Sequence, residues 1–235
     1  MSSTETDRRR LRDDWNRAKA LHRAYDLAAA LRIYRRLESV VERLETVQPR
    51  DPATTPARWR HELAFDRAMF FADHAGAECD AGRFAEARQR ITRAIKYKGD
   101  SYLPFAYQVR GSIAHFAGAH AEGLRWYDKA LAEVAGLYAN PAISRDGAVI
   151  LTCRGEALFA LGRRADAEAS FRDAIRGSKE PFEPYWFLSL ICADDGRAKE
   201  SATWRSQYLT RRKKLTATAF RRRCRFYPAE LKKRL

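Results

Sequence analysis

Four stretches of the chain repeat one arrangement of large apolar, small and apolar residues around a glycine. Aligned on Gly82, Gly118, Gly162 and Gly196, the residue eleven places earlier is Phe71, Tyr107, Leu151 or Tyr185. Seven places earlier stand Ala75, Gly111, Gly155 and Ser189, and five later stand Ala87, Gly123, Ala167 and Ser201. Thirteen later stand Ile95, Leu131, Ile175 and Leu209; nine later stand Ile91, Tyr127, Phe171 and, in the last copy, the departing Arg205. Between these positions apolar residues recur at three- and four-residue spacing, the period of a helix. The pattern predicts antiparallel helix pairs joined at the glycine. Small residues stand where the helices cross, large ones fill the space beside, and glycine supplies the backbone that a tight helix end requires.

The glycines are spaced 36, 44 and 34 residues apart. The long interval contains Leu137 to Ala148, read as an extended second helix and a loop broken at Asn140–Pro141. Two more helices are predicted upstream. One spans Thr6 to Arg23, with Leu11, Trp15, Ala18 and Leu21 on one face; the other spans Asp26 to Val47, with Leu27, Ala30, Tyr34, Leu37, Val41 and Leu44. They read as an atypical capping hairpin, followed by a turn-rich segment, Gln48 to Pro56. Beyond Thr210, Leu215, Ala219 and Phe226 form a seam, and Pro228 starts a last short helix. The predicted parts are thus 1–56, a capping hairpin and linker; 57–210, the repeats; and 211–235, a helical extension.

The register, best kept in Phe159 to Ile175, resembles the tetratricopeptide repeat family over Phe65 to Thr210. That resemblance implies an all-α, right-handed superhelical stack of helical hairpins. It also implies a non-catalytic scaffold whose first helices line a concave groove for a peptide or helix of another protein. Carried over copy by copy, the groove positions are Met69; Phe105, Gln108, Ser112, His115 and Phe116; Thr152, Glu156 and Phe159; and Glu183, Trp186 and Leu190. The cluster of Lys, Arg and Asn that grips a peptide carboxylate in some family members is missing, so an apolar or helical segment fits better. A second reading stays open: the chain's own N-terminal hairpin or C-terminal helices cover these side chains.

Charge singles out the C-terminal end. The net charge of the chain is +15. Residues 197–235 hold 14 Lys and Arg against 2 acids, which leaves only +3 on everything before them. Three clusters carry it: Arg211, Arg212, Lys213 and Lys214; Arg221, Arg222, Arg223 and Arg225; Lys232, Lys233 and Arg234. Such asymmetry points to an anionic partner. The alternatives are nucleic acid, with Phe220, Phe226 and Tyr227 stacking on bases, and an amphipathic end that caps the stack or meets an acidic protein. The run of Leu-Thr, Phe-Arg-Arg-Arg, then Phe, Pro and Leu resembles a C-terminal extension of bacterial cyclase-associated tetratricopeptide proteins, and implies a bacterial regulatory setting. Self-association through open repeat ends is a further alternative.

Little else in the sequence carries chemistry. Cys79, Cys153, Cys192 and Cys224 lack the spacing of a zinc site and read as reduced, buried thiols. His115 and His120 stand five apart, off the spacing of a helical metal pair. No phosphate-binding loop, dinucleotide fingerprint or HExxH is present. The expectation is no enzyme, no metal and no cofactor. With a mean hydropathy of −0.57, no apolar run of membrane-spanning length and no secretory pattern at the start, the expected location is the cytoplasm.

Overall fold

A computed structural model describes residues 3–43, 66–97, 103–137, 144–179 and 181–235. Among them are twelve helices and no strand. They run α1 (Ser3–Arg23), α2 (Leu27–Arg43), α3 (Arg67–Asp80), α4 (Phe84–Lys96), α5 (Leu103–Phe116), α6 (His120–Leu137), α7 (Arg145–Ala160), α8 (Arg164–Gly177), α9 (Glu183–Asp194), α10 (Ala198–Arg212), α11 (Ala217–Cys224) and α12 (Ala229–Lys232). The first ten pair as five consecutive hairpins. The expected fold, all-α and built of tetratricopeptide-like hairpins, is the observed one. The chain forms two compact units, Met1–Tyr102 and Leu103–Leu235. The predicted turn at Gln48–Pro56 and the break at Asn140–Pro141 lie outside the described residues, as do the last four residues of the second predicted helix.

The hairpin turns share one geometry. At the third hairpin turn of the aligned set, Gly162 has φ +75°. Its N–H donates to the Phe159 carbonyl at 3.0 Å, and that of Arg163 to Leu158 at 2.9 Å, so orphan carbonyls at the end of α7 are satisfied. The same two bonds close the turn between α1 and α2, from Tyr25 to His22 and from Asp26 to Leu21, both 2.9 Å. Tyr25 there takes φ +65°. Ala18 and Ala30, seven before and five after it, are fully buried, as is Tyr34 nine after. The N-terminal hairpin therefore shares the turn geometry and three of the five register positions, with tyrosine in the glycine slot and Asp14 and Glu38 departing at the other two.

In the first unit Phe70 is the hub. It meets Trp15, Tyr34 and Phe71 edge-on with centroids 5.4–6.1 Å apart, the arrangement that ring quadrupoles favour. Polar pairs tie α1 and α2 to α3: Trp15 Nε1 donates to Asp73 at 3.0 Å, His22 pairs with Asp80 at 2.9 Å, and Arg35 reaches the buried Glu78 at 3.0 Å. Asp66 caps α3 by accepting from the Met69 N–H at 2.8 Å.

In the second unit small residues let the helices touch. A Cβ on Gly155 would fall 2.5 Å from the Phe171 ring, and one on Gly111 would fall 2.5 Å from Tyr127. At the last hairpin the crossing is made by two serines, with Ser201 Oγ donating to the Ser189 carbonyl at 2.8 Å. Arg205, the residue that breaks the pattern there, is exposed. Its neighbours do the packing: Trp204 lies against Tyr185 and Tyr208 against Phe182. The expected long second helix is α6, with 18 residues against 14 in α8. Pro228 caps the start of α12, as its fixed φ suits.

Candidate functional site

The first helices of three hairpins, α5, α7 and α9, pack in sequence within the second unit. Their predicted groove positions lie on this surface. Gln108 Nε2 approaches Ser112 Oγ at 3.3 Å and Cys153 Sγ at 3.8 Å. Ser112 also accepts from the Tyr127 hydroxyl at 3.2 Å. Thr152 Oγ1 bonds back to the Ala148 carbonyl at 2.9 Å. Phe105, Phe116 and Phe159 are half-buried, while Ser112, His115, Thr152, Glu156, Glu183 and Leu190 are buried and Trp186 is 1% exposed. Met69 lies half-buried on α3, in the other unit.

The C-terminal segment of the same chain covers several of the α7 and α9 positions, among them Glu156, Glu183 and Trp186. After α10 the chain turns through α11 and lays Phe226–Tyr227–Pro228 against them. Phe226 stacks on Phe116 with centroids 4.6 Å apart and planes 27° off parallel. Tyr227 packs against Trp186 at 5.2 Å and edge-on to Phe187 at 5.6 Å. Its hydroxyl donates to Glu156 Oε1 at 2.9 Å. Arg223 pairs with Glu183 at the start of α9, with one contact at 2.7 Å. Past α12, Arg234 joins Asp194 at 2.7 Å, and Arg164 holds the same carboxylate at 2.6 Å. Tyr208 donates to the carbonyl of the last residue, Leu235, at 3.2 Å. A cavity of about 570 Å³ remains beside this segment, walled by Phe116, Phe159, Phe187, Phe226, Tyr227 and Leu231.

Burial sets the electrostatics. The Glu156 carboxyl is pushed up to about 8, first by burial and then by the charge of Glu183. Burial also raises Glu183, with the Arg223 guanidinium pulling the other way. His115 is held neutral, its pKa lowered to about 4 by burial and by His120. The two rings meet Nδ1 to Nδ1 at 2.9 Å, one donating and the other accepting. In another cluster, Glu168, Cys192 and Glu200 converge within 4.8 Å. Arg172 and Arg197 already bond both of those carboxylates, so their charge is met by guanidinium.

Of the predicted anionic-partner patch, Arg211, Arg212, Arg222 and Arg225 are half-buried and the other seven residues are exposed, several of them also making contacts within the chain. Arg211 donates to the Lys179 carbonyl at 2.6 Å and to the Tyr185 hydroxyl at 2.8 Å, and its guanidinium lies 3.6 Å from the Tyr185 ring centroid. Arg212 covers Phe220 at 3.7 Å and Arg225 covers Phe226 at 4.2 Å. Lys232 donates to the Arg225 carbonyl and Lys233 pairs with Glu230. Arg222 is half-buried; Lys213, Lys214 and Arg221 are exposed. The roles of Arg223, Glu183, Arg234 and Asp194 in seating the segment lie outside the sequence reading. Complementarity was its only signal: two acids and no Lys or Arg among the predicted positions of α5, α7 and α9, and a basic aromatic run at the chain end.

Among solved structures, the fold is similar to two titled "Crystal structure of MamA" and "Crystal structure of MamA protein". The first has a TM-score of 0.55 at 15% identity, covering 84% of this chain and 95% of that one. The second has a TM-score of 0.54 at 13% identity, covering 87% and 92%. Both are tetratricopeptide-like helical repeat proteins, and at such identity the likeness speaks for the fold alone. No family model matches the sequence, and no curated protein matches it.

Proposed function

We infer that this protein is a non-catalytic interaction scaffold, whose groove on α5, α7 and α9 takes a short segment of another protein. The observation that carries this reading is the seat of Phe226 and Tyr227: a peptide-like stretch lies across the first helices, its rings against Phe116, Trp186 and Phe187. Aromatic anchors in desolvated pockets supply most of the energy in such interfaces. Helical-repeat architecture supports the same reading, since stacked hairpins present continuous surfaces for protein partners. No helix among the described residues is long and apolar enough to cross a membrane. The exposed Lys213, Lys214 and Arg221 add attraction toward an acidic partner surface.

The test is site-specific crosslinking in the full chain. A photoreactive residue replaces half-buried Phe159 at the cavity, and in a control replaces Val40, which is 41% exposed on α2. Crosslinks from position 159 to one discrete segment of another protein, absent from position 40, are expected. Equal labelling from both positions would sink the reading.

A further inference from the structure

The C-terminal segment does more than cover the groove; its contacts specify what the groove accepts. Glu183 is 5% exposed and Glu156 8% exposed, and a buried carboxyl is tolerated only when something compensates it. Glu183 gets a guanidinium from Arg223. Glu156 gets a hydroxyl donor from Tyr227. Beside them, Phe116 offers a ring face, and Trp186 with Phe187 forms a wedge that the Tyr227 ring enters. Pro228 follows directly and turns the chain into α12. Cation and aromatic pair therefore each meet a matching feature on α5, α7 or α9.

The geometry points to a partner with the same chemistry: a basic segment bearing two adjacent aromatic residues, the second a tyrosine, with an arginine a few positions before them. The chain's own Arg223–Pro228 is the resident occupant, and the partner displaces it. This rests on the scaffold reading of the same groove. Charge argues for the class. An acidic segment would set its carboxylates against Glu183 and Glu156. A purely apolar helix would displace Arg223 and leave Glu183 buried without its cation, a loss larger than the pair itself contributes. A basic aromatic segment restores every contact that it removes.

The experiment uses full-length chains and fluorescence anisotropy. The probe is a labelled synthetic peptide of residues 220–232 with Cys224→Ser. Control probes are the same peptide with Arg223→Ala and Tyr227→Ala, and an uncharged leucine–alanine amphipathic peptide of equal length. The hosts are the wild-type chain and the chain carrying Phe226→Ala with Tyr227→Ala, whose resident can no longer fill the seat. The basic aromatic probe is expected to bind the opened chain at least tenfold tighter than wild type, and to lose at least tenfold with its arginine and tyrosine removed. In an opened chain that also carries Glu183→Gln, the advantage of arginine over alanine in the probe should vanish.

Helical circular dichroism and a cooperative melt qualify each host. Should the double variant fail them, a chain with Arg223→Ala alone is the opened host, with a gain of at least threefold expected. Equal binding of the basic probe to open and closed hosts overturns the inference. So does stronger binding of the leucine–alanine peptide, which would leave the scaffold reading standing. Binding of neither probe to a folded, opened host removes both.

Discussion

The Tyr227 hydroxyl donates to Glu156 Oε1 at 2.9 Å, joining residues 71 positions apart in the sequence. Burial beneath this segment, which outweighs the downward pull of the bond itself, links the protonation of Glu156 to the position of the C-terminal segment. Glu156 titrates near 8 when docked, against 4.5 for an ordinary glutamate. The docked chain therefore holds a proton that a released one gives up between those values. Docking is strongest below the ordinary value and weakens as pH rises through 8.

Other groups bound the useful window. His115, lowered to about 4, opposes folding as pH falls below 6.5, and Asp73 in the first unit, raised to about 6 by burial, has largely titrated above it. The groups acting on Glu156 are Glu183, which pushes its pKa up, and Tyr227 and Arg223, which pull it down. Between pH 6.5 and 8 the stability, followed by thermal melts, is expected to fall with rising pH, the Glu156 proton contributing at most about 1.4 kcal/mol per pH unit and Glu183, raised by burial, acting with the same sign. Glu156→Gln should flatten that slope. An unchanged slope in the variant would assign the effect elsewhere.

Arg223→Ala leaves Glu183 without its cation. Breaking a buried pair costs about 3–5 kcal/mol, and the 38% exposure of the Arg223 side chain brings the expectation down to about 2 kcal/mol. Urea unfolding of the full chain measures it. A change within about 0.5 kcal/mol, the range of ordinary surface substitutions, would mean that Glu183 is solvated in solution.

Cys224 lies within the segment, on α11, and is 4% exposed, with its thiol pushed up to about 12 by burial. Its reaction with a thiol reagent near neutral pH therefore reports opening of the segment. Labelling at Cys224 should be slow in the wild type and at least tenfold faster in Arg223→Ala. The fast phase should disappear when Cys224→Ser is added. Equal rates in wild type and Arg223→Ala would show that the ion pair does not hold the segment.

Two glycines separate two kinds of constraint. Gly162 has φ +75° and open space where a Cβ would stand, so Gly162→Ala costs only backbone strain, about 1 kcal/mol. At Gly155 the added Cβ would strike the fully buried Phe171 ring at 2.5 Å. Gly155→Ala is expected to cost about 3 kcal/mol, as overpacking in a dense core does. Denaturant midpoints of the two variants rank them, and the reverse order would contradict the packing described for α7 and α8.

The hairpins were legible because their requirements are local: a left-handed residue at the turn and small residues at fixed distances on either side. The N-terminal hairpin carries no glycine at its turn, where Tyr25 takes the left-handed conformation. Ala18, Ala30 and Tyr34 keep the register around it. The candidate positions on α5, α7 and α9 rest on the family resemblance that the same register carries. Their occupant has no such signal, because a contact such as Tyr227 with Glu156 has no local period to read. A covering by the C-terminal helices was one of two readings left open, and only the packing of Phe226 and Tyr227 distinguishes them. Part of the positive charge at that end pairs within the chain: Arg223 with Glu183, Arg234 with Asp194, and Arg211 over the Tyr185 ring.

Tethering gives the seated segment a property that no free ligand has. It reaches its site through the short stretch between α10 and Phe226, so its effective concentration is of order millimolar however dilute the protein. If ~1 groove in 100 stood open at any moment, a visitor's apparent dissociation constant would rise ~100-fold. On the proposed scaffold reading, abundant weak binders would then be refused, and the fraction of chains engaged would follow the quality of a partner more than its amount.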